Sequence, residues 1–267
     1  MIHPTAIIHP KARLGANCGI GPYCLIGEHV ELGDGCKLYS HVVIDGHTTL
    51  GKANEIFPFA CLGLKTQDLK WKGGITRTVI GDQNTFRESV TVHSATNDGD
   101  ATIIGSNNLF LTYVHIAHDC VLGNHIIMSG FSGLAGHVLV EDRVVFGGYA
   151  AVHQFCRIGE RVMVAGHASI TRDVPHFTMV AERDDVIGLN VVGLKRSGLA
   201  RASIAELKAA FHDVYFTPGN IREVAALRIA TNAFESAEAK RFLEFFSQGK
   251  RSFARARRAA IEDENAG

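Results

Sequence analysis

Large apolar residues recur at every sixth position over most of the chain. From Ile2, steps of six reach Ile170, and only Asp68, Gly74 and Asp98 on the way are not large and apolar. An α-helix cannot keep a period of six over such a length, and simple strand alternation would not mark only every sixth residue. The pattern therefore predicts very short strands joined by tight corners.

A second set of inward positions lies four places after each large apolar residue, and its members are mostly small. Three strands with three corners make one coil, in which the large side chain fills the middle of a triangular cross-section and the small one fits the bend. Five of the six cysteines belong to this small set: Cys18, Cys24, Cys36, Cys120 and Cys156. The prediction is a parallel β-helix in which residues 18 apart lie one above another.

The repeat ends near Gly188, where the pattern changes to that of helices. We therefore predict a mainly β catalytic domain over residues 1–188 and an α-helical domain over residues 189–267. The predicted helical features are a capping box from Ser203 to Glu206 and further helices at about 220–231 and 236–248.

Charge, hydropathy and cysteine spacing exclude several classes of function. Lys plus Arg and Asp plus Glu both number 27, so net charge gives no case for binding nucleic acid or a membrane surface. No stretch approaches the roughly 18 apolar residues of a membrane span, and the N-terminus has no signal-peptide pattern. Six cysteines without a CxxC pair favour free thiols over disulfides or a zinc site. We expect a cytoplasmic protein without a metal.

Several histidines fall on successive coils of the predicted β-helix. Convergent titratable groups mark catalytic or metal sites. By contrast, His3, His9 and His176 are isolated, and we expect them to be exposed to solvent. The residues that steps of 18 bring together on three coils are His115, His118, Asp119, Gly136, His137, His153, Gln154 and Phe155.

The motifs around these residues resemble those of the UDP-N-acetylglucosamine O-acyltransferases, which perform the first step of lipid A biosynthesis. The resemblance spans the whole chain and implies that the β-helix is left-handed. The motifs that carry it are His-Ile-Ala-His-Asp-Cys at 115–120, Leu-Ala-Gly-His at 134–137, Val-His-Gln-Phe-Cys at 152–156, Gln-Asp-Leu-Lys at 67–70 and Gly-Leu-Lys-Arg at 193–196.

The resemblance implies that the 3-hydroxyl of the sugar attacks a 3-hydroxyacyl thioester held by acyl carrier protein. The 4'-phosphopantetheine belongs to that carrier, and no cofactor is expected on this chain. His118 is implied as the general base and Asp119 as the group that orients it, since histidine serves as a base near neutral pH. The N–H of Gly136, one coil above His118, is the candidate oxyanion donor, because glycine allows a thioester to come close.

Further residues match substrate-binding positions of the same family. Val192 and Ser197 depart from the acidic and second basic residues that better-known members carry at these positions. The implied contacts to the sugar, its N-acetyl group, its phosphates and the nucleotide are His115, His137, His153, Gln154, Asp68, Lys70, Asn190, Lys195 and Arg196. Asp68 and Lys70 lie on an excursion that could reach a neighbouring subunit.

Three glycines spaced one coil apart, Gly130, Gly148 and Gly166, predict a groove along the prism for the acyl chain, although glycines of repeat corners could produce the same column. By resemblance, the residue at Gly166 limits the length of the acyl chain, and glycine there goes with longer chains.

The assembly follows from the same features. A flat prism face favours a homotrimer with shared active sites. The helical domain is expected to dock the acidic acyl carrier protein through its basic residues, although these could simply be solvated. Those residues are Lys195, Arg196, Arg201, Lys208, Arg222, Arg228, Lys240, Arg241, Lys250, Arg251, Arg255, Arg257 and Arg258.

Four alternatives share parts of this pattern. A γ-type carbonic anhydrase could use His115, His118 and His137 as metal ligands on a similar β-helix. The N-acyltransferase of the same pathway would have an additional N-terminal domain, whereas this repeat begins at Ile2. A solenoid without enzymatic activity would need no aligned histidines. Within the favoured family, the acceptor group is either the 3-hydroxyl or a 3-amino analogue.

Overall fold

The computed structural model describes residues 1–257, and Arg258 of the predicted basic stretch lies outside the described residues. Three sheets of mainly parallel strands form the walls of a prism, and helices follow toward the C-terminus. Among residues 1–257, no helix combines the length and the apolar character needed to cross a membrane.

Each coil contributes one strand to each of three sheets. The first sheet contains β1 Ile7–Ile8, β4 Leu25–Ile26, β7 Val43–Ile44, β10 Cys61–Leu64, β13 Thr91–His93, β16 His115–Ile116, β19 Gly133–Leu134, β22 Ala151–Val152 and β25 Ser169–Ile170. The second contains β2 Arg13–Leu14, β5 Glu31–Leu32, β8 His47–Leu50, β11 Arg77–Ile80, β14 Ala101–Ile104, β17 Val121–Leu122, β20 Leu139–Val140 and β23 Arg157–Ile158. The third contains β3 Gly19–Ile20, β6 Lys37–Leu38, β9 Glu55–Ile56, β12 Thr85–Phe86, β15 Leu109–Phe110, β18 Ile127–Met128, β21 Val145–Phe146, β24 Met163–Val164, β26 Thr178–Ala181, β27 Asp185–Leu189 and β28 Arg255–Ala256.

The register of the strands confirms the predicted coil length. Ile7 pairs with Leu25 and His115 pairs with Gly133, so each partner lies one predicted coil further along the chain. The sequence separation is larger between Cys61 and its partner Thr91, and again between Thr91 and His115. The breaks in the apolar repeat thus correspond to two excursions that leave the prism and return to it.

The predicted inward positions form the core. The large apolar residues from Ile20 onward are buried, whereas Ile2 at the open N-terminal end is 51% exposed. The small set also satisfies backbone carbonyls at the bends. Cys36, for example, donates its S–H to the carbonyl of Gly51, and on the next three coils asparagine takes the same position. Asn54, Asn84 and Asn108 form a buried ladder in which each side-chain oxygen accepts a backbone N–H of the next coil.

The C-terminal part begins with an antiparallel hairpin of β26 and β27, and β28 pairs in parallel with β27. Its helices are α1 Val191–Arg196, α2 Arg201–Phe216, α3 Ile221–Ala230 and α4 Ala237–Glu244, followed by a short 3-10 helix at Phe245–Ser247.

The predicted capping box is wrong, because α2 begins at Arg201 and Ser203 lies inside its first turn. Glu206 instead accepts the N–H groups of Glu235 and Ser236, which anchors the start of α4. His176, expected in solvent, is also wrong: it is buried, and its Nδ1 accepts the N–H of Glu160. His9 is half-buried rather than exposed.

Candidate functional site

His118 and Asp119 occupy the corner between β16 and β17, and the backbone of Asp119 is left-handed with φ of 61°. Nδ1 of His118 lies 2.7 Å from Oδ2 of Asp119. A carboxylate can only accept, so Nδ1 of His118 carries the ring proton and Nε2 keeps its lone pair. The dyad thus leaves Nε2 of a largely buried imidazole available as a base.

The Asp119 carboxylate is held in its charged form by its neighbours. Burial raises the pKa of Asp119, but hydrogen bonds from His118 and Thr96 outweigh burial, so the pKa lies below its ordinary value. The Thr96 N–H donates to Oδ1 of Asp119 at 3.2 Å, and the N–H of Asp119 donates to Oγ1 of Thr102 at 2.8 Å. These contacts fix both the charge and the orientation of the carboxylate.

The two excursions meet at this corner. Thr96 on the second excursion is hydrogen-bonded to Thr66 on the first, with 3.1 Å between the hydroxyl oxygens. Oγ1 of Thr66 accepts the N–H of Asp68, and Oδ2 of Asp68 lies 4.0 Å from Nε2 of His118. Asp68 therefore reaches His118 of its own chain, and Oδ1 of Asp68 accepts the backbone N–H of Lys70 at 2.9 Å.

Gly136 lies directly against the His118 ring. A Cβ on Gly136 would be 2.6 Å from Nε2 of His118, so any other residue would displace the imidazole. At two comparable corners the equivalent backbone N–H is hydrogen-bonded: the N–H of Ala16 donates to Oδ1 of Asp34, and the N–H of Asn124 donates to Oδ1 of Asp142. Within residues 1–257, the Gly136 N–H donates no such hydrogen bond. A free N–H beside the His118 ring could donate a hydrogen bond to an oxyanion.

His137 lies on the other side of the dyad. Its Nε2 is 3.6 Å from Oδ2 of Asp119, its ring meets that of His118 edge-on at 5.2 Å, and Phe155 stacks on it at 4.6 Å. Ligand atoms of Asp68, His118 and His137 lie within 4.8 Å of one another and could hold a metal ion. His115, which the carbonic anhydrase alternative requires, does not belong to this set.

His115 lies on β16, with its Nδ1 2.8 Å from Oγ1 of Thr91. Burial and the nearby His118 lower the pKa of His115, so this imidazole stays neutral at physiological pH. A further residue that the sequence did not indicate, His93, stacks obliquely on it at 5.4 Å. Burial, with His115 and His118 nearby, lowers the pKa of His93 to about 4.

The remaining predicted contacts lie apart from the dyad. His153 and Gln154 are exposed on the coil after Gly136, and His153 contacts Arg251 from the C-terminal segment. Asn190 caps α1: its side chain accepts the N–H of Gly193 and donates to the carbonyl of Arg161.

Lys195 and Arg196 are exposed in the last turn of α1, and within the described residues no hydrogen bond or ion pair links them to His118. Val192 is 58% exposed, and the Ser197 hydroxyl donates to the carbonyl of Leu194. Neither side chain supplies the charge that better-known family members carry at these two positions.

The three glycines stack as predicted. A Cβ on Gly166 would lie 3.3 Å from the carbonyl oxygen of Gly148, and one on Gly148 would lie 3.4 Å from that of Gly130. An aromatic column at the next residue of each coil lines this strip. Its rings are those of Tyr113, Phe131, Tyr149 and His167, with successive centroids 4.9 to 5.0 Å apart.

Three residues of the site were missed from the sequence, Thr66, Thr96 and His93, and Arg251 was predicted only as part of the carrier-docking surface, whereas it contacts His153. The breaks at Asp68 and Asp98 indicated the excursions, but no periodicity shows that two threonines on different excursions meet.

Comparisons with known proteins agree with this geometry. The family model described as Udp N-acetylglucosamine O-acyltransferase, domain 2, matches residues 173–254. The model for six repeats of the bacterial transferase hexapeptide matches residues 11–46.

Solved structures match over nearly the whole chain. A crystal structure of a UDP-N-acetylglucosamine acyltransferase is 37% identical with a TM-score of 0.92, and the match covers 96% of this chain and 99% of that one. LpxA from Acinetobacter baumannii is 38% identical with a TM-score of 0.90, covering 95% and 99%. The UDP-N-acetylglucosamine acyltransferase of Francisella novicida is 33% identical with a TM-score of 0.91, covering 100% and 99%. These matches confirm the left-handed parallel β-helix.

Proposed function

The chain belongs to the UDP-N-acetylglucosamine O-acyltransferase family, and on that premise we propose that it performs the first acyl transfer of lipid A biosynthesis. The acceptor is the 3-hydroxyl of UDP-N-acetylglucosamine, and the donor is a 3-hydroxyacyl thioester of acyl carrier protein. The observation that carries the mechanism is the His118–Asp119 pair, which leaves Nε2 of His118 free beside the N–H of Gly136, for which residues 1–257 supply no hydrogen-bond partner.

His118, Asp119 and Gly136 account for each proton and charge in the acyl transfer. Nε2 of His118 removes the proton of the sugar hydroxyl as its oxygen attacks the thioester carbonyl. Asp119 stabilises the imidazolium that forms, and the Gly136 N–H donates to the oxyanion of the tetrahedral intermediate. Collapse of that intermediate breaks the carbon–sulfur bond, and His118 returns the proton to the leaving thiolate. Ester and carrier thiol are the products.

Asp68 and His137 are suited to bind the acceptor around the base. Oδ2 of Asp68 lies 4.0 Å from Nε2 of His118, so while the attacking hydroxyl donates to Nε2, the carboxylate can accept from a second donor of the same sugar. Lys70 follows on the same excursion and is exposed, so its ammonium group is available to a phosphate. His115, His153 and Gln154 complete the sugar side of the proposed site. Asn190, Lys195 and Arg196 supply the nucleotide side.

The proposed active site combines two subunits of a homotrimer. The glycine column lies at the corner between the third and first sheets, whereas His118 lies at the corner between the first and second sheets. These corners are at opposite edges of the first sheet, so one chain does not bring its groove to its own base. In the proposed trimer, the groove of a neighbouring subunit lies beside His118 and completes the site.

The carrier brings its own 4'-phosphopantetheine, and we propose no cofactor or metal on this chain. The six cysteines are free, which supports a reducing compartment and hence the cytoplasm.

Acyl transfer with purified components tests the proposal. The protein is incubated with a 3-hydroxyacyl carrier thioester and either UDP-N-acetylglucosamine or its 3-amino analogue, and the acylated sugar is identified by mass spectrometry. We expect the ester as the main product. Faster transfer to the amine would reassign the acceptor, and no transfer to either sugar would overturn the function. A metal assay of the same preparation distinguishes the carbonic anhydrase alternative.

A further inference from the structure

Arg251 joins the C-terminal segment to the coil that carries His153. Nη1 of Arg251 donates to the carbonyl of Thr171 at 2.8 Å, and its Nη2 lies 2.9 Å from Nδ1 of His153. The two residues are 98 positions apart in sequence, so the contact exists only in the folded chain.

The chemistry of a guanidinium defines the protonation of His153. A guanidinium has donors and no acceptor, so Nδ1 of His153 must accept this hydrogen bond. A neutral imidazole whose Nδ1 accepts carries its proton on Nε2. The 3.2 Å approach of Nδ1 to the carbonyl oxygen of Gln154 is then a contact between two acceptors and not a hydrogen bond.

We propose that Arg251 is a positioning residue for the acyl acceptor, because it fixes His153 as an Nε2–H donor toward an oxygen of the bound nucleotide sugar. This inference rests on the proposed function. The Thr171 contact supports it, because the carbonyl anchors one arm of the guanidinium and thereby aims the other arm at the ring. Lysine cannot reproduce this two-point arrangement.

Two other arginines hold the same segment without touching His153. Arg222 donates to the carbonyls of Phe246 at 3.0 Å and Gly249 at 2.9 Å. Arg157 donates to Asp173 and to the carbonyl of Phe245. Attachment of the segment is therefore shared among three arginines, whereas contact with the imidazole belongs to Arg251. Arg222 provides a matched control.

The first measurement is the tautomer of His153 in the full-length protein. With histidine labelled by ¹⁵N and the His153 signal assigned by its loss in His153→Ala, we expect ring shifts of the Nε2–H form in wild type and of a tautomer mixture in Arg251→Gln. An Nδ1–H form in wild type would overturn the proposal. This readout needs no activity, so it decides the Arg251–His153 contact even if transfer to UDP-N-acetylglucosamine is not observed.

The second measurement is a kinetic double-mutant cycle. Arg251→Gln is expected to raise the KM for the nucleotide sugar about tenfold while kcat changes less than about twofold, in line with the loss of an orienting contact. In a His153→Ala background the same change should add less than about a twofold effect. Arg222→Gln should lower the melting temperature and leave this KM near wild type.

Each other result counts against the role of Arg251. An equal KM rise in the presence and absence of His153 would show that Arg251 acts only by attaching the segment. The same KM rise in Arg222→Gln would lead to the same conclusion. Full retention of the wild-type KM by Arg251→Lys would show that the two-point contact is not required.

Discussion

The Asp119 carboxylate determines which nitrogen of His118 is free for chemistry, and its own position depends on residues that the repeat does not show. Histidine and aspartate at consecutive positions were visible in the sequence, and so was the glycine one coil above them. The contribution of Thr96 was not predictable, because it lies on an excursion whose path is fixed by tertiary contact with Thr66. The inward and stacked positions of the repeat were placed correctly, whereas the burial of His9 and the contacts of residues on the excursions needed the structure.

Loss of the base gives the sharpest prediction at this scale. His118→Ala should fold normally, because the side chain lies at a corner outside the apolar core, and should lose activity by about 10²–10⁴-fold. Steady-state turnover and the melting temperature of each variant are the measurements. His125→Ala, at an exposed corner on the neighbouring edge of the prism, is the control and should keep its activity. Retention of more than about a tenth of wild-type turnover by His118→Ala would remove His118 from the mechanism.

Elements follow from the sequence wherever a single period governs them. Six-residue spacing placed the strands of the prism and predicted the stacking of Gly130, Gly148 and Gly166. The start of α2 was predicted less accurately. Ser203 and Glu206 match a capping pattern, but Glu206 accepts the N–H of Ser236 and the helix begins at Arg201. His176 was misplaced for a similar reason, since the helices that bury it come from a later part of the chain.

The glycine column makes a prediction about acyl chain length. Gly166→Met should move the preference toward shorter 3-hydroxyacyl donors, because a side chain would block one end of a strip about 10 Å long over two coil steps. Each methylene excluded from the groove forfeits up to about 0.8 kcal/mol. The backbone of Gly166 does not have positive φ, and its Cβ site is 3.3 Å from the nearest backbone atom, so the fold should tolerate methionine with a small local shift.

Competition among donors of different length measures this preference. Gly19→Met is the control, since a Cβ there meets only the Lys37 side chain at 4.0 Å, far from the groove. An unchanged length profile in Gly166→Met, or a preference of wild type for short donors, would show that the column does not bind the acyl chain.

At the scale of the whole molecule, the separation of groove and base on one chain predicts functional trimers. Light scattering at assay concentration should give the mass of three chains. Co-expression of differently tagged His118→Ala and Gly166→Met chains should give mixed trimers in which a wild-type base meets a wild-type groove. Their activity on long donors should exceed that of either parent. An active monomer, or mixed trimers no better than the parents, would contradict the shared site.

The basic surface of the C-terminal part is smaller than its composition suggests, which sharpens the prediction of a carrier-binding site. Arg222 and Arg251 are engaged by backbone carbonyls, and Arg228 and Arg257 pair with Asp213 and Asp185. Lys250 and Arg255 are exposed and line the same cavity of about 570 Å³. Arg201 and Lys240 are also exposed, but Lys250 and Arg255 lie together at one cavity, and we expect an acidic carrier to bind this pair.

Charge reversal at this pair tests the docking of the carrier. Lys250→Glu with Arg255→Glu should raise the KM for the carrier thioester by about tenfold at low salt, and the difference should shrink as salt screens the charges. The KM for UDP-N-acetylglucosamine should change little. Lys37→Glu, on the third sheet near the N-terminus, alters charge away from this surface and should leave both constants near wild type. An unchanged KM for the carrier thioester in the double variant would place the docking surface elsewhere. An equal rise of that KM in Lys37→Glu would show that the effect comes from the net charge of the protein and not from this surface.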